Sequence, residues 1–582
     1  MKKTLCIVLA LALSMALLAG CGSGGSGSNA TTAAGGETTA APSSGGSGSS
    51  GGSESSGVSG TIVSIAAPED PDTLSPFISG MQGRDYVCQV IYQPVFDWDY
   101  NAGVIQPVVA ESYEHTDENH TTIKIRENVF DSEGNPITAK DVAFCINSAT
   151  DSGNFQELSI VKGAEVKGDY EVEVTWSIDI TESLEGFQGA MQRVYVVNQE
   201  AYEAASDGFS TKPIGTGPYV LENAVQGSEY TFKLSDNYWG EGVLGDYQRG
   251  MTNVETIKFV VIPEEAQRPV ALETDIVDFS SVSTSDVYLF EDGGTDADDF
   301  DLYTSSSVAC SMLKYNCAEH IDTTKFSSVG DSIESDDYTS VCSNVNMRKA
   351  IAYAIDVDEV IQGVFGGYAM PMHTYGGNPN CGDYNPAWEN EDYYDVDLVK
   401  GKECLDKALS ELGMTADEVN IVLHCNSRET TKRMATIITN DISKLGISAE
   451  VSISDVRGST VDPTIWDIEL KDLIGTSGFT PLTWTDAYGD VAWENDEVQG
   501  KYNWCFVNDD KLEDYNVRGE MASEYSSEFI EEARQYVIYE MCYQLMLTNA
   551  TEFAAYKNSV LKNVIYGCNG VIIPQACTYS WN

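Results

Sequence analysis

Positive charge is what the sequence has least of. Against 90 Asp and Glu stand 33 Lys and Arg and 5 His, a formal net charge of −57. Such a balance cannot present the basic surface that a phosphate backbone requires, which excludes nucleic acid as a partner. It also disfavours lying flat on anionic lipid. Dense carboxylates keep a chain soluble and self-repelling; a bias toward cationic ligands and a plain acidic surface habit both remain open. Beyond residue 60 no apolar run approaches the roughly 20 residues that a membrane-crossing helix needs. The same stretch holds neither a Gly-x-Ser-x-Gly elbow nor a His-Glu-x-x-His pair, so no familiar hydrolase signature is present. There are 14 cysteines but no Cys-x-x-Cys spacing, which argues against a zinc ribbon or a thioredoxin-like redox centre. Several cysteines, Cys145 and Cys542 among them, sit inside apolar patterns and read as small core residues. No particular disulfide is predicted, and no internal repeat is found.

The one strongly apolar segment is at the start. Lys2 and Lys3 precede an apolar run from Leu5 to Ala19, broken only by Ser14. It is too short for an ordinary span and has the charge, length and position of a secretory signal. The run closes on Leu18-Ala19-Gly20-Cys21, which resembles the bacterial lipobox, whose cysteine is diacylated and becomes the new N-terminus. The reading is a signal peptide over 1–20 with Cys21 as the lipid anchor, since two acyl chains hold stably where one does not; a plain signal peptide with an incidental cysteine is the alternative. From 21 to 60 the chain is almost wholly Gly, Ser, Thr and Ala. That composition buries too little apolar surface to fold and forms a flexible tether with a reach of roughly 30–40 Å.

Residues 61–582 are too many for one hydrophobic core, so two or three lobes are expected. The pattern predicts a helix near Arg84–Tyr92, alternating strands at Thr121–Ile125 and Val172–Trp176, and a helix capped by Thr138. Further on it predicts helices at Met347–Ala354 and Val399–Leu412. A strand Ile421–Leu423, a helix Met434–Leu445 ending at Gly446 and a strand Ala449–Ile453 suit a parallel crossover unit. A last long helix is predicted over Phe529–Met546.

Five segments then appear in a familiar order. They are Pro107–Tyr113 (PVVAESY), Ile123–Val142 (IKIRENVFDSEGNPITAKDV), Lys212–Tyr219 (KPIGTGPY), Asn237–Gly240 (NYWG) and Asn346–Asp356 (NMRKAIAYAID). Together they resemble the peptide/nickel-type family 5 of ABC solute-binding proteins, the group that includes oligopeptide- and dipeptide-binding proteins. The resemblance implies an α/β, periplasmic-binding-protein-like fold of class II (cluster C): two major α/β lobes with a hinge, plus an inserted β-rich lobe. Lobe I would comprise 61–98, 212–305 and 552–582, lobe II 99–211 and lobe III 306–551. It implies capture of a small solute between lobes I and III, with no catalytic residue, cofactor or resident metal. Partners would be the ligand (peptide favoured), ABC permease and ATPase subunits, and the membrane through the N-terminal lipid. The protein would sit on the extracytoplasmic face of the cell membrane, the outer surface in a Gram-positive cell.

The motifs themselves read as structural. Gly215 and Gly217 allow close backbone approach at a turn into the Tyr219 strand. Arg348 and Asp356 are expected to form a helix-end or interlobe ion pair, or to lie on the surface. In peptide-binding members a lobe III aspartate takes the ligand's α-amino group. Here the matching position is Thr476, with Asp472 or Asp486 as substitutes, and Leu473 stands where an aromatic is usual. Trp484, Asp486, Tyr488, Trp493, Tyr502 and Trp504 form an aromatic and acidic stretch that could hold a sugar or cation or pack the core. Gln82 is a candidate contact on the opposite wall. Ligand candidates are thus Gln82, Asp472, Thr476, Trp484 and Asp486. Gly240–Gly245 matches a dinucleotide pattern by letter only and reads as a surface turn. His115, His120, His373 and His424 read as structural, and the acidic run Asp292–Asp301 as a solvated loop. Oligosaccharide or a metal complex are alternative ligands; a secreted hydrolase or a surface adhesin are alternative functions.

Overall fold

The strand at Ile62–Ala67 shows how the large sheet is built. Its Val63 and Ile65 are fully buried while Ile62 is half exposed, and it takes a parallel neighbour on each side, Thr256–Val261 and Phe279–Val282. The computed structural model describes residues 58–581 except 79–81, 100–103, 184–185, 292–297, 326–332, 374–384, 392, 455–461, 476–504, 520, 522, 524–525 and 568–570. Among these residues the large sheet has eleven strands. Its order is Ser448–Ile453, Asn420–Cys425, Ile468–Gly475, Phe300–Tyr315, Gln544–Lys557, Phe279–Val282, Ile62–Ala67, Thr256–Val261, Glu229–Leu234 and Tyr219–Val225, with Ala369–Pro371 paired to Gln544–Lys557 off this path.

A second, four-stranded antiparallel sheet joins Ala110–Asp117, His120–Ile125, Glu171–Trp176 and Val161–Gly168. Its helix Ala139–Ser152 begins at the predicted cap: the Thr138 backbone N–H and hydroxyl both donate to Asp141 at 2.8 Å, a reciprocal cap that satisfies orphan helix-start donors. The predicted crossover is present as strand Asn420–Cys425, helix Glu429–Ser443 and strand Ser448–Ile453, the strands parallel and in full register.

Two long strands tie the halves of the large sheet together. Phe300–Tyr315 and Gln544–Lys557 pair antiparallel along most of their length. Their ends Phe300, Phe553 and Ala555 pack with Ala66, Leu272 and Val282 in the Ile62 half. Their other ends, Cys310–Leu313 and Leu545–Leu547, pack with Ile351, Leu423 and Ile438 in the Asn420 half. The predicted boundaries 305/306 and 551/552 fall inside these strands.

Two expectations are corrected. The helix predicted over Phe529–Met546 is Ser527–Arg534 continued by a wider-wound turn, Gln535–Glu540, and Gln544 onward is strand. Cys542 at φ 49° makes the turn between them. Arg348 makes no ion pair with Asp356 and is not a surface residue. It is 1% exposed, and its guanidinium donates to the carbonyls of Cys342, Ser343, Met541 and Cys542. Asp356 instead caps helix Val357–Phe365 by accepting from Glu359 N–H at 3.0 Å. The glycine reading holds at Gly215 and Gly217: a Cβ there would stand 2.1 Å from the Ile91 carbonyl oxygen and 2.5 Å from its carbon, respectively.

Candidate functional site

The ladder between the two long strands is broken where it passes from one half of the sheet to the other. Ser306 faces Thr551 and Cys310 faces Asn549, so three residues on one strand oppose one on the other; a second shift follows between Ser311 and Met312. Such bulges interrupt pairing and bend the strand. Solvent reaches the strand at the same place. Gln544–Asn549 and Phe553–Lys557 are buried, whereas Ala550 and Thr551 are half-buried and Glu552 is exposed. An opening in the middle of an interior strand is what a crevice between two halves produces.

In the Asn420 half a row of polar side chains crosses five strands. Gln544 is paired with Lys314, Lys314 with Glu469, Glu469 with His424 and His424 with Ser452. Directly paired residues project from one face of a sheet, so the five share a face. Gln544, Lys314, Glu469 and His424 are all at most 5% exposed. Lys471, two residues along from Glu469, forms an ion pair with one Glu469 carboxylate oxygen, and the other oxygen is buried with no hydrogen-bond partner among the described residues. Burial holds the Lys314 ammonium below its usual range. Burial also lowers His424, with Glu469 opposing and Lys471 adding to the shift. His424 and Ser452 stand next to last on two parallel strands. The row therefore lies at the carboxyl ends of those strands, where open α/β sheets take their ligands. With ammonium, imidazole and carboxylate side by side, it can serve both signs of charge.

The Ile62 half brings aromatics to the interruption. Tyr303 and Tyr566 stack at 4.6 Å with planes 9° apart, and Phe279 lies 6.0 Å from Tyr566. Burial pushes the Tyr86 phenol up to about 12, with Arg268 opposing and Glu552 reinforcing. Tyr566 is raised by burial and by the neighbouring Tyr86, Tyr303 and Glu552. Phenol rings around a carboxylate make a surface suited to a cation.

Of the sequence candidates, Gln82 is the first residue of helix Gln82–Ile91, the helix that carries Tyr86. Asp472 lies in strand Ile468–Gly475, between Lys471, which faces Met312, and Ile474, which faces Cys310. The side chains of Gln82 and Asp472 lie outside the described part of the structure. Thr476, Trp484, Asp486 and Cys21 lie outside the described residues. His115 meets Thr121 Oγ1 at 2.7 Å, His120 meets Asp117 at 2.8 Å and His373 meets the Trp388 carbonyl at 2.8 Å. Each is accounted for locally. Among the described residues no group of three or more His, Cys, Asp and Glu could hold a metal ion. Lys314, Glu469 and the Tyr303–Tyr566 pair were not singled out from sequence. The apolar–polar alternation Leu313-Lys314-Tyr315-Asn316 is the sequence signal that points to Lys314.

Comparison with known proteins bears on this arrangement. Residues 104–500 match the family model described as bacterial extracellular solute-binding proteins, family 5 Middle. The chain is 21% identical over 447 residues to the glutathione-binding protein GsiB of Escherichia coli K12, covering 76% of this chain and 78% of that protein. Among solved structures it resembles the ABC transporter substrate-binding protein CtaP of Listeria monocytogenes (TM-score 0.69, 16% identity, 90% of this chain and 99% of that one). It also resembles NikA of Brucella suis in complex with Fe(III)-EDTA (TM-score 0.69, 19% identity, 89% and 100%). The oligopeptide-binding protein AppA of Bacillus subtilis, in complex with a nonapeptide, has TM-score 0.64 at 16% identity, with 89% and 99% covered.

Proposed function

The chain belongs to the bacterial extracellular solute-binding proteins of family 5, and from that membership we propose that it captures a peptide between the two halves of its large sheet and delivers it to the permease of an ABC importer. It is a binding protein, as its relatives are, and not an enzyme. The observation that carries the peptide reading is the buried row of Lys314, Glu469 and His424 at the carboxyl ends of the parallel strands. A peptide is a zwitterion, and a wall with ammonium, imidazole and carboxylate can meet both of its ends. Glutathione bound by GsiB and the nonapeptide bound by AppA are ligands of that kind. The aromatic face of Tyr303 and Tyr566 beside Glu552 supplies the opposite wall. Residues 1–20 act as a secretory signal, Cys21 carries the lipid, and 21–60 tether the body at the extracytoplasmic face of the membrane.

Native mass spectrometry of freshly purified protein tests the ligand. The expected result is a retained peptide mass that is released on denaturation and sequenced by fragmentation. Hexose increments, a metal isotope pattern or turnover of the bound compound would refute the peptide. For the anchor, wild type should enter the detergent phase on Triton X-114 partitioning and Cys21→Ser should not. Equal partitioning of the two would refute lipidation at Cys21.

A further inference from the structure

Beside the interruption, one edge of Gln544–Lys557 changes partner. Ala369–Pro371 pairs with Thr548–Ala550, and Phe279–Val282 pairs with Phe553–Tyr556. Tyr368 stands where the two partners meet. Its carbonyl accepts from Thr551 N–H at 3.0 Å, while its hydroxyl donates to Glu291 Oε1 at 2.9 Å. Its ring meets Phe553 edge-on at 5.0 Å and packs on the core of Ala66, Leu272, Val287 and Phe290. In the chain, however, Tyr368 follows helix Val357–Phe365, whose Val360 and Val364 belong to the core of the other half. Gly366 and Gly367, at φ 61° and 94°, turn the chain out of that helix toward it. Two successive left-handed residues are a conformation that only glycine adopts without strain. The side chain is thus rooted in the Asn420 half and seated in the Ile62 half. The four-stranded sheet belongs with the Ile62 half, since its Val172, Val174 and Trp176 share one core with Val63 and Ile65, and a second contact shows that the halves meet in this arrangement. Ser183, beyond the four-stranded sheet, forms an antiparallel bridge with Met521, which follows helix Asp510–Gly519 of the Asn420 half.

We propose that Tyr368 is a closure latch: its hydrogen bond to Glu291 and its ring contact with Phe553 favour the arrangement in which the two halves shut, and so set how much of the binding energy a solute must spend on closing them. This rests on the reading that the halves close over a solute. The latch contributes to affinity without touching the ligand, because apparent affinity scales with the fraction of protein already in the competent state. Tyr368 is a positioning residue.

The test uses ligand-free protein, with spin labels carried on genetically encoded ketone side chains at Val225 and Val399, which are 48% and 70% exposed on the two halves. Pulsed dipolar spectroscopy reads the ratio of short to long distances. Tyr368→Phe and Glu291→Gln should each lower that ratio about fivefold, the size expected for one partly exposed hydrogen bond to a carboxylate. The double variant should fall no further, and the midpoint of thermal unfolding should stay unchanged. Two populations whose ratio neither variant alters, or whose ratio rises, would overturn the latch alone. One fixed distance in the wild type, unchanged in the presence of a peptide identified by mass spectrometry, would overturn the closing reading and the latch with it.

Discussion

Replacing Arg348 by Met should strongly destabilise the Asn420 half. The guanidinium is 1% exposed and donates to Cys342 O at 2.8 Å, Ser343 O at 2.7 Å, Met541 O at 2.6 Å and 3.0 Å, and Cys542 O at 3.0 Å. It also lies 5.0 Å from the ring centre of Tyr543. It therefore ties the entry to helix Val345–Ala352 to the turn that feeds the long strand at Gln544. Methionine nearly fills the volume but donates nothing, so carbonyls from both segments lose a charged donor in a dry setting. Each orphaned acceptor costs about 1–3 kcal/mol, and the losses are not additive within one cluster. A total of about 3–5 kcal/mol follows, comparable with breaking a buried ion pair. For a lobe of this size that is a fall in Tm of roughly 6–20 °C. Lysine keeps the charge but as a point donor that cannot fork across both segments, so Arg348→Lys should recover about half. The assay is urea and thermal unfolding followed by circular dichroism, with hydrogen exchange at Gln544–Leu547. A cost below about 1 kcal/mol for Met, or full recovery by Lys, would refute the assignment of the four carbonyls to this side chain.

Two further outcomes are expected. Gly217→Ala should abolish soluble expression or cost more than about 3 kcal/mol, because the new Cβ would lie 2.5 Å from the Ile91 carbonyl carbon and backbone cannot swing aside as a side chain can; a wild-type melting curve would contradict this. Burial raises the Asp467 carboxyl from 3.8 to about 6, so the folded protein holds a proton that the unfolded chain releases between those values. Stability should therefore rise as pH falls from 6 toward 4 and be lost as pH rises through 6, by up to about 3 kcal/mol. Asp467→Asn should remove that component, and identical pH profiles of Tm for the two proteins would show the burial argument to be mistaken.

Local structure was readable where a local rule decides it. The Thr138 cap needs only its own helix start, and the crossover Asn420–Ile453 has a strand-helix-strand rhythm that no other arrangement satisfies. The stretch from Phe529 was misread because Tyr543–Leu547 is apolar at every position but Gln544, and such a run has no period to separate strand from helix. Strand pairing with Phe300–Tyr315, far away in the chain, settles it. Arg348 was misread for a related reason. A charged residue on a short helix reads as exposed, and the carbonyls that justify its burial come from residues 342–343 and 541–542. The row of Lys314, Glu469 and His424 belongs to three strands with more than a hundred residues between the first and second in the chain, so register alone reveals it. The family resemblance rested on segments that shape the fold, which is why it located the architecture sooner than the contacts a solute would make.

Because both connections running through Ser306–Cys310 and Asn549–Thr551 are strands of one continuous sheet, neither half can slide past the other without tearing a run of backbone pairs. Twisting where the ladder between the two long strands is interrupted is the inexpensive movement that remains. Like a strap hinge, such a joint would yield to a change of angle and resist shear, so closure over a solute would leave each face unchanged and alter only the angle between them.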